Sequence, residues 1–260
     1  MKPITSRDNP LYKELKHLAT SSQARRRAQR TLLDGVHLCE VYLDQIGAPP
    51  LCIVSDSALS LPEVMPILRR CEQGGAQCIA LPDALFKSIS QVEHGVGLMF
   101  MVATPAPAPS LQLSGNAVLL DRLQDPGNLG SILRSAAAAG IADVFCSAGT
   151  AFAWSPKVLR AGMGAHFLLR ITEDVDLVQL LQSATVAVLA TSSHAKATIY
   201  DIDLQQPAAW LFGHEGQGIS EELMALTTHQ VGIPHLGQME SLNVAASAAV
   251  CFFEQVRQKR

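Results

Sequence analysis

Ala209-Trp210-Leu211-Phe212-Gly213-His214-Glu215-Gly216-Gln217-Gly218-Ile219-Ser220 passes from four apolar residues straight into a glycine-rich turn. The apolar run has the length of a buried strand, and the glycines followed by serine are turn chemistry leading into a helix. A glycine loop between strand and helix suggests a phosphate cradle for a nucleotide. Here, however, the spacing is Gly-x-x-Gly-x-Gly rather than the dinucleotide fingerprint, and Glu215 sits inside it. A carboxylate there repels a pyrophosphate and suits a ligand that is cationic or offers amine donors. The plain alternative is a strand-to-helix turn with no ligand.

The same arrangement recurs on either side. Apolar strands are expected at 117–120, 143–146, 185–190, 209–212 and 229–233, with helices between them and a closing helix from about 243 to 257. Parallel strands need such crossovers, so this part reads as an α/β sheet covered on both faces. Ligands collect where the carboxyl ends of such strands open into loops. After Ala117–Leu120 the chain reads Asp121-Arg-Leu-Gln-Asp125-Pro126-Gly127-Asn128-Leu129-Gly130-Ser-Ile-Leu-Arg134, with Asn128 as the expected helix N-cap and Arg134 on the new helix. After Gly232-Ile233-Pro234 comes Glu240-Ser241-Leu242-Asn243-Val244, with Ser241 as the expected N-cap. The helix of small residues that follows, Ala245 to Ala249, implies close approach of another backbone, within the fold or across a subunit contact.

Residues 1–103 read as a smaller α/β layer domain. Apolar runs (Leu51–Val54, Gln77–Ala80, Gly97–Ala103) alternate with helical patterns (Val36–Gln45, Leu61–Cys71, Ala84–Ser90), and Asn9-Pro10 opens a helix with Leu11, Leu15 and Leu18 on one side. The proline-rich stretch 104–113 is the expected linker, leaving 114–260 as the second domain. The formal charge of −3 hides an asymmetry. Residues 1–30 carry Lys2, Arg7, Lys13, Lys16, Arg25, Arg26, Arg27 and Arg30 against Asp8 and Glu14, a net +6 on a body of −9. That end suits a polyanion such as a nucleic acid, with Lys13, Arg25, Arg26, Arg27 and Arg30 as candidate contacts; a solvated helix face is the plain alternative.

With 48% hydrophobic and 17% charged residues the chain is globular. It has no apolar run near the ~20 residues of a membrane span and no secretory signal, so a cytoplasmic protein with no membrane partner is expected. Six cysteines at 39, 52, 71, 78, 146 and 251 form no Cys-x-x-Cys pair and read as reduced, buried fillers. His94, His166, His194 and His235 show no metal-ligand spacing, and no metal is expected.

Taken together, Asp125-Pro126-x-Asn128-x-Gly130-x-x-x-Arg134, Gly213-x-Glu215-Gly216-x-Gly218, and Ile233-Pro234 followed by Ser241-Leu242-Asn243-Val244 resemble the SpoU-type, TrmH-like branch of the SPOUT superfamily of RNA 2′-O-ribose methyltransferases. Ser155-Pro156-Lys157-Val158-x-Arg160-Ala161 also looks like the family. The resemblance covers about residues 114–258. The N-terminal part is similar, through Ser6-x-x-Asn9-Pro10-x-x-Lys13 and the Asp34-Gly35 turn, to the substrate-binding domain of ribosomal-RNA members. It implies a parallel sheet with a deep C-terminal trefoil knot, an exception to the usual avoidance of knots, and a homodimer. It implies S-adenosylmethionine as cofactor, held by Phe212, Gly213, Gly218, Ile233 and Leu242 largely through backbone groups. Asn128, Arg134, Glu215, Ser241 and Asn243 carry over as the catalytic polar set.

Methyl transfer to a hydroxyl needs the nucleophile polarised and held in line with the sulfonium methyl at roughly 3–3.5 Å. A guanidinium has a pKa above about 12, so Arg134 is expected to orient the hydroxyl and stabilise the alkoxide, with the proton acceptor unassigned. The separate basic domain favours a large structured target, ribosomal RNA over transfer RNA. Two departures stand out: His214 occupies a position often filled by Asn or Ser, and Gly162 one where Ser is frequent. Two other functions are open to this chain. A catalytically silent RNA-binding module predicts a damaged polar set. A nicotinamide-dependent dehydrogenase predicts a Gly-x-Gly-x-x-Gly turn after the first strand, which neither domain has.

Overall fold

A computed structural model describes residues 1–93, 95–105 and 112–260. His94 and most of the proline-rich stretch lie outside the described residues. In chain order the elements are β1 (Lys2–Pro3), α1 (Pro10–Thr20), α2 (Ser22–Ala28), β2 (Arg30–Asp34), α3 (Val36–Gln45), β3 (Leu51–Ser55), α4 (Met65–Gln73), β4 (Gln77–Leu81), α5 (Asp83–Lys87), β5 (Leu98–Ala103), β6 (Ala117–Leu120), α6 (Pro126–Ala138), β7 (Asp143–Ser147) and α7 (Pro156–Gly162). They continue with β8 (Arg170–Val175), α8 (Leu177–Gln182), β9 (Ala187–Thr191), β10 (Ala197–Thr198), β11 (Ala208–Phe212), α9 (Glu221–Ala225), β12 (His229–Gly232) and α10 (Val244–Gln258).

The chain divides into two compact units: residues 1–105 with 154–167, and residues 112–153 with 168–260. The placement of 154–167 differs from the sequence expectation. Its cause is local: the Thr31 hydroxyl donates to the Trp154 carbonyl at 2.8 Å, the Phe167 ring meets Tyr42 edge-on, and Gly164 leaves room for Val41.

In the first unit the sheet runs β1-β4-β3-β5-β2, with β5 antiparallel to both neighbours and the other pairs parallel. Asn9 caps α1 as its sequence promises, accepting from the N–H groups of Leu11 and Tyr12, with Pro10 at the first helical position. Tyr12, Leu15 and Leu18 then pack on Ile53, Ile79 and Met99, while Leu11 is only partly buried. The basic cluster departs from expectation at one position. α2 is a separate helix opened by Ser21, and it turns Arg25 inward, leaving it 6% exposed. The Arg25 Nη1 donates to the carbonyls of Leu18 and Ala19, the last turn of α1. A guanidinium so placed is a helix clamp and not a surface contact for RNA. Arg26, Arg27 and Arg30 stay exposed, Arg30 paired with Glu14 at 2.7 Å and Lys13 with Asp8 at 2.9 Å. Arg25→Ala should therefore lower the urea midpoint of unfolding by the equivalent of about 1.5–3 kcal/mol, the worth of hydrogen bonds from a charged donor. Arg27→Ala should leave it unmoved.

In the second unit the sheet is β10-β12-β9-β11-β6-β7-β8, and every pair is parallel. β6 and β11 are buried along their whole length, which is why both read as unbroken apolar runs. α8 and α9 cover one face through Leu180, Leu181 and Leu223 on Leu119, Val188 and Leu211. On the other face Phe212 meets Phe252 of α10 edge-on, and the Trp210 indole donates to Gln255 at 3.0 Å. The small residues of α10 answer to α6, packed beside it. All six cysteines are free and buried. Among the described residues no helix is long and apolar enough to cross a membrane.

Register sets up the site. Phe212 pairs with Leu120, Leu211 with Ala190, and Val231 with Thr191. Four strands thus end at one level, and the segments after Leu120, Thr191, Phe212 and Gly232 open side by side.

Candidate active site

The segment after Phe212 is a closed turn. The His214 N–H donates to the Gly218 carbonyl at 3.0 Å, and the Gly218 N–H returns to the His214 carbonyl at 2.8 Å. Gly213 is glycine because a Cβ there would fall 2.2 Å from the Gly218 carbonyl carbon and the Ile219 nitrogen. Inside the turn, Nδ1 of His214 accepts the N–H groups of Gly216 (2.9 Å) and Gln217 (3.2 Å).

Glu215 at the tip crosses to the segment after β6. Its carboxylate accepts the N–H groups of Gln124 (3.1 Å) and Asp125 (3.0 Å) and the side-chain amide of Asn128 (3.1 Å). The donors that its charge calls for come from the chain itself rather than from a ligand. Burial pushes the Glu215 carboxyl up, but the hydrogen bonds from Asp125, Asn128 and Gln124 outweigh it and hold the group below the usual carboxylate range. The contact is therefore fully formed at neutral pH and is lost only as pH falls through that lowered value.

The network continues into the third segment. Asn128 Oδ1 accepts the amide of Asn243 at 2.9 Å, and Asn243 Oδ1 accepts the N–H groups of Ala245 and Ala246 at the start of α10. Two expected caps are thereby corrected. Asp125, not Asn128, caps α6, accepting from the Asn128 N–H at 2.8 Å, because Pro126 takes the first helical position. Asn243, not Ser241, caps α10. Asp121, buried at the end of β6, ties the first two segments further by accepting the Ser220 N–H at 3.0 Å.

Beside this network lies a cleft of about 320 Å³, within the range of small-molecule sites. It is lined by Gly213, Gly218, Ile233 and Leu242 of the expected cofactor set and by Glu215, Ser241 and Asn243 of the expected catalytic set. Asn128 is reached through Asn243 and Glu215. Phe212 is not part of the lining: its ring is in the core and its carbonyl accepts the Asp121 N–H at 2.8 Å. Arg134 is not part of it either. Six residues beyond Asn128 it stands about 9 Å along α6 and about 240° around it, exposed on the face of Ser131 and Ala138. The sequence reading missed Thr191, Ser192 and Ser193, which line the cleft from the end of β9. A polar triplet after an apolar run was the signal, the same one that marked the other segments.

The walls fit S-adenosylmethionine. Ile219, Val231, Ile233, Leu242 and Val244 offer an apolar surface, Thr191, Ser192 and Ser241 offer hydroxyls, and no lysine or arginine stands there to meet a phosphate.

A sequence profile described as the SpoU rRNA Methylase family matches residues 115–253. Over 98% of this chain and 94% of its own length, an uncharacterised tRNA/rRNA methyltransferase of Synechocystis is 37% identical. The 23S rRNA (guanosine(2553)-2′-O)-methyltransferase RlmP of Bacillus subtilis is 31% identical over 97% of this chain and 98% of its own. The SpoU methyltransferase AviRb of Streptomyces viridochromogenes, solved in complex with S-adenosylmethionine, superposes with a TM-score of 0.84 at 27% identity, covering 96% of this chain and 98% of that one.

Proposed function

The chain belongs to the SpoU rRNA methylase family, and on that footing we propose that it methylates a ribose 2′-hydroxyl of ribosomal RNA in the cytoplasm. The observation that carries this reading is the hydrogen-bonded run Asn243–Asn128–Glu215, which joins three strand-end segments beside one cleft. The cofactor is S-adenosylmethionine, which when bound supplies a sulfonium-activated methyl group. Gly213, Gly218, Ile233 and Leu242 hold it, with Thr191 and Ser192 as hydroxyl partners.

The chain's own residues then position rather than abstract. Glu215 has its oxygens committed to three donors and holds the turn in place instead of serving as a base. Asn128 and Asn243 are each fixed in orientation by what they donate and accept, so the rim of the cleft is preorganised. Arg134 orients the incoming ribose and its phosphate and stabilises the alkoxide; Ser241 offers its hydroxyl at the cleft edge. Arg26, Arg27 and Arg30, with Lys13, meet RNA backbone, contacts that position the substrate without reading its sequence.

The proposal includes two features of assembly. One is the threading of the chain after β11 into a deep trefoil knot, supported by the insertion of β9 between β11 and β12. The other is a homodimer, supported by the exposed Phe253 of α10 and by Leu236 and Met239 before it.

The test is transfer of labelled methyl from S-adenosylmethionine to total RNA from a strain lacking this gene. Label should enter one 2′-hydroxyl of ribosomal RNA and vanish with Asn128→Ala. Label in transfer RNA instead would overturn the substrate. Binding of cofactor and RNA with no transfer, to naked RNA or to assembly intermediates, would make the chain a silent RNA-binding module.

A further inference from the structure

His214 lies in the turn that carries Glu215, and its hydrogen bonds leave it one chemical form. Nδ1 accepts two backbone N–H groups, from Gly216 at 2.9 Å and Gln217 at 3.2 Å, so the proton of the neutral ring resides on Nε2. An imidazole whose Nδ1 lone pair is committed and whose Nε2 carries hydrogen cannot accept the proton of a ribose hydroxyl. That removes His214 from the role of base and leaves it another.

The two N–H groups that it accepts flank the tip of the turn. Around them, the backbone pair His214–Gly218 closes the neck, and Gly213 and Gly218 line the cleft on the same side. Glu215 departs from the tip to the N–H groups of Gln124 and Asp125 and to Asn128. Without an acceptor at position 214, the amides of Gly216 and Gln217 lose their partner inside the turn, and the tip is held only by the neck and by Glu215.

We propose that His214 is a positioning residue for the cofactor cleft: its Nδ1 locks the 213–218 turn in the shape that both lines the cleft and delivers Glu215 to Asn128. The inference rests on the reading of this cleft as the S-adenosylmethionine site. What the position requires is an acceptor one bond beyond Cγ, not an imidazole. An asparagine supplies one, since its Oδ1 is bonded to Cγ as Nδ1 is and bonds backbone N–H groups two and three residues on in the same way. Alanine supplies none.

Cofactor affinity is measured by calorimetry on the full chain with S-adenosylmethionine and no RNA. His214→Ala should weaken binding by about tenfold to a hundredfold, the loss of two neutral hydrogen bonds. His214→Asn should stay within about twofold to threefold of the wild type, a rescue that mere loss of packing volume would not give. In turnover, His214→Ala should raise the KM for cofactor more than it lowers kcat.

Equal affinity of His214→Ala and the wild type overturns the inference alone. Equal loss in His214→Ala and His214→Asn also overturns it, because the acceptor would then not be what matters. A wild type that does not bind S-adenosylmethionine overturns both the inference and the reading of the cleft on which it rests.

Discussion

Arg134→Ala is expected to lower methyl transfer by about two to three orders of magnitude, the usual worth of a charge aimed at a developing oxyanion, with S-adenosylmethionine affinity unchanged. The separation follows from geometry. Arg134 is exposed, its side chain makes no hydrogen bond or ion pair among the described residues, and it is absent from the cleft lining. Removing it takes nothing from the fold, so any loss is a loss of contact with substrate. Arg134→Lys should recover only part of the rate, because a point charge lacks the planar fork that can grip a hydroxyl and a phosphate together; full activity in that variant would end any special guanidinium role. Since α6 turns Arg134 away from the cleft of its own chain, the proposed homodimer gives it the cleft of the second copy. Mixed Arg134→Ala and Asn128→Ala chains should then regain activity that neither has alone. No recovery after exchange of subunits would place the arginine in its own chain's reaction.

Gly213→Ala is the second large effect, and it reaches binding as well as rate. The new Cβ would sit 2.2 Å from the Gly218 carbonyl carbon and the Ile219 nitrogen and 2.4 Å from the Gly218 oxygen. These are backbone atoms in a closed turn, so relief comes only by opening the neck between His214 and Gly218. Glu215 then leaves Asn128, and the cleft loses one wall. We expect calorimetry to show S-adenosylmethionine affinity down by more than about a hundredfold, the loss of several hydrogen bonds at once. Gly218→Ala is the contrast. Its φ of +70° meets no atom within 4 Å, so only the left-handed backbone penalty of about 1–2 kcal/mol applies and binding should survive. Similar affinity in Gly213→Ala and the wild type would mean that the turn opens without consequence for the cleft.

Much of the catalytic unit is visible in the chain because its strands are buried on both faces. Ala117–Leu120 and Ala208–Phe212 are unbroken apolar runs, and such runs can be found without knowing their neighbours. β8 was missed for the opposite reason: at the sheet edge it carries Arg170, Thr172, Glu173 and Asp174, which read as a loop. β2 was hidden likewise by Arg30 and Asp34 at its ends. The site was legible as residue types at strand ends but not as connections. Several residues near each helix start can cap it, and only packing selects Asp125 and Asn243 over Asn128 and Ser241. The inward turn of Arg25 was equally silent, because three consecutive arginines look alike until a helix axis decides which one faces the core.

The hydrogen bond between Asn128 and Asn243 spans 115 residues of chain. During synthesis at ~5–20 residues per second, Asn243 leaves the ribosome about 6–23 s after Asn128. Over that interval the nascent protein already owns its Asn128 helix and then its Glu215 turn, but not the amide that completes the run or the helix that Asn243 caps. Until Asn243 arrives, a chain still in synthesis lacks both the last link of that run and the cap of α10, so the order of the sequence is also an order of assembly.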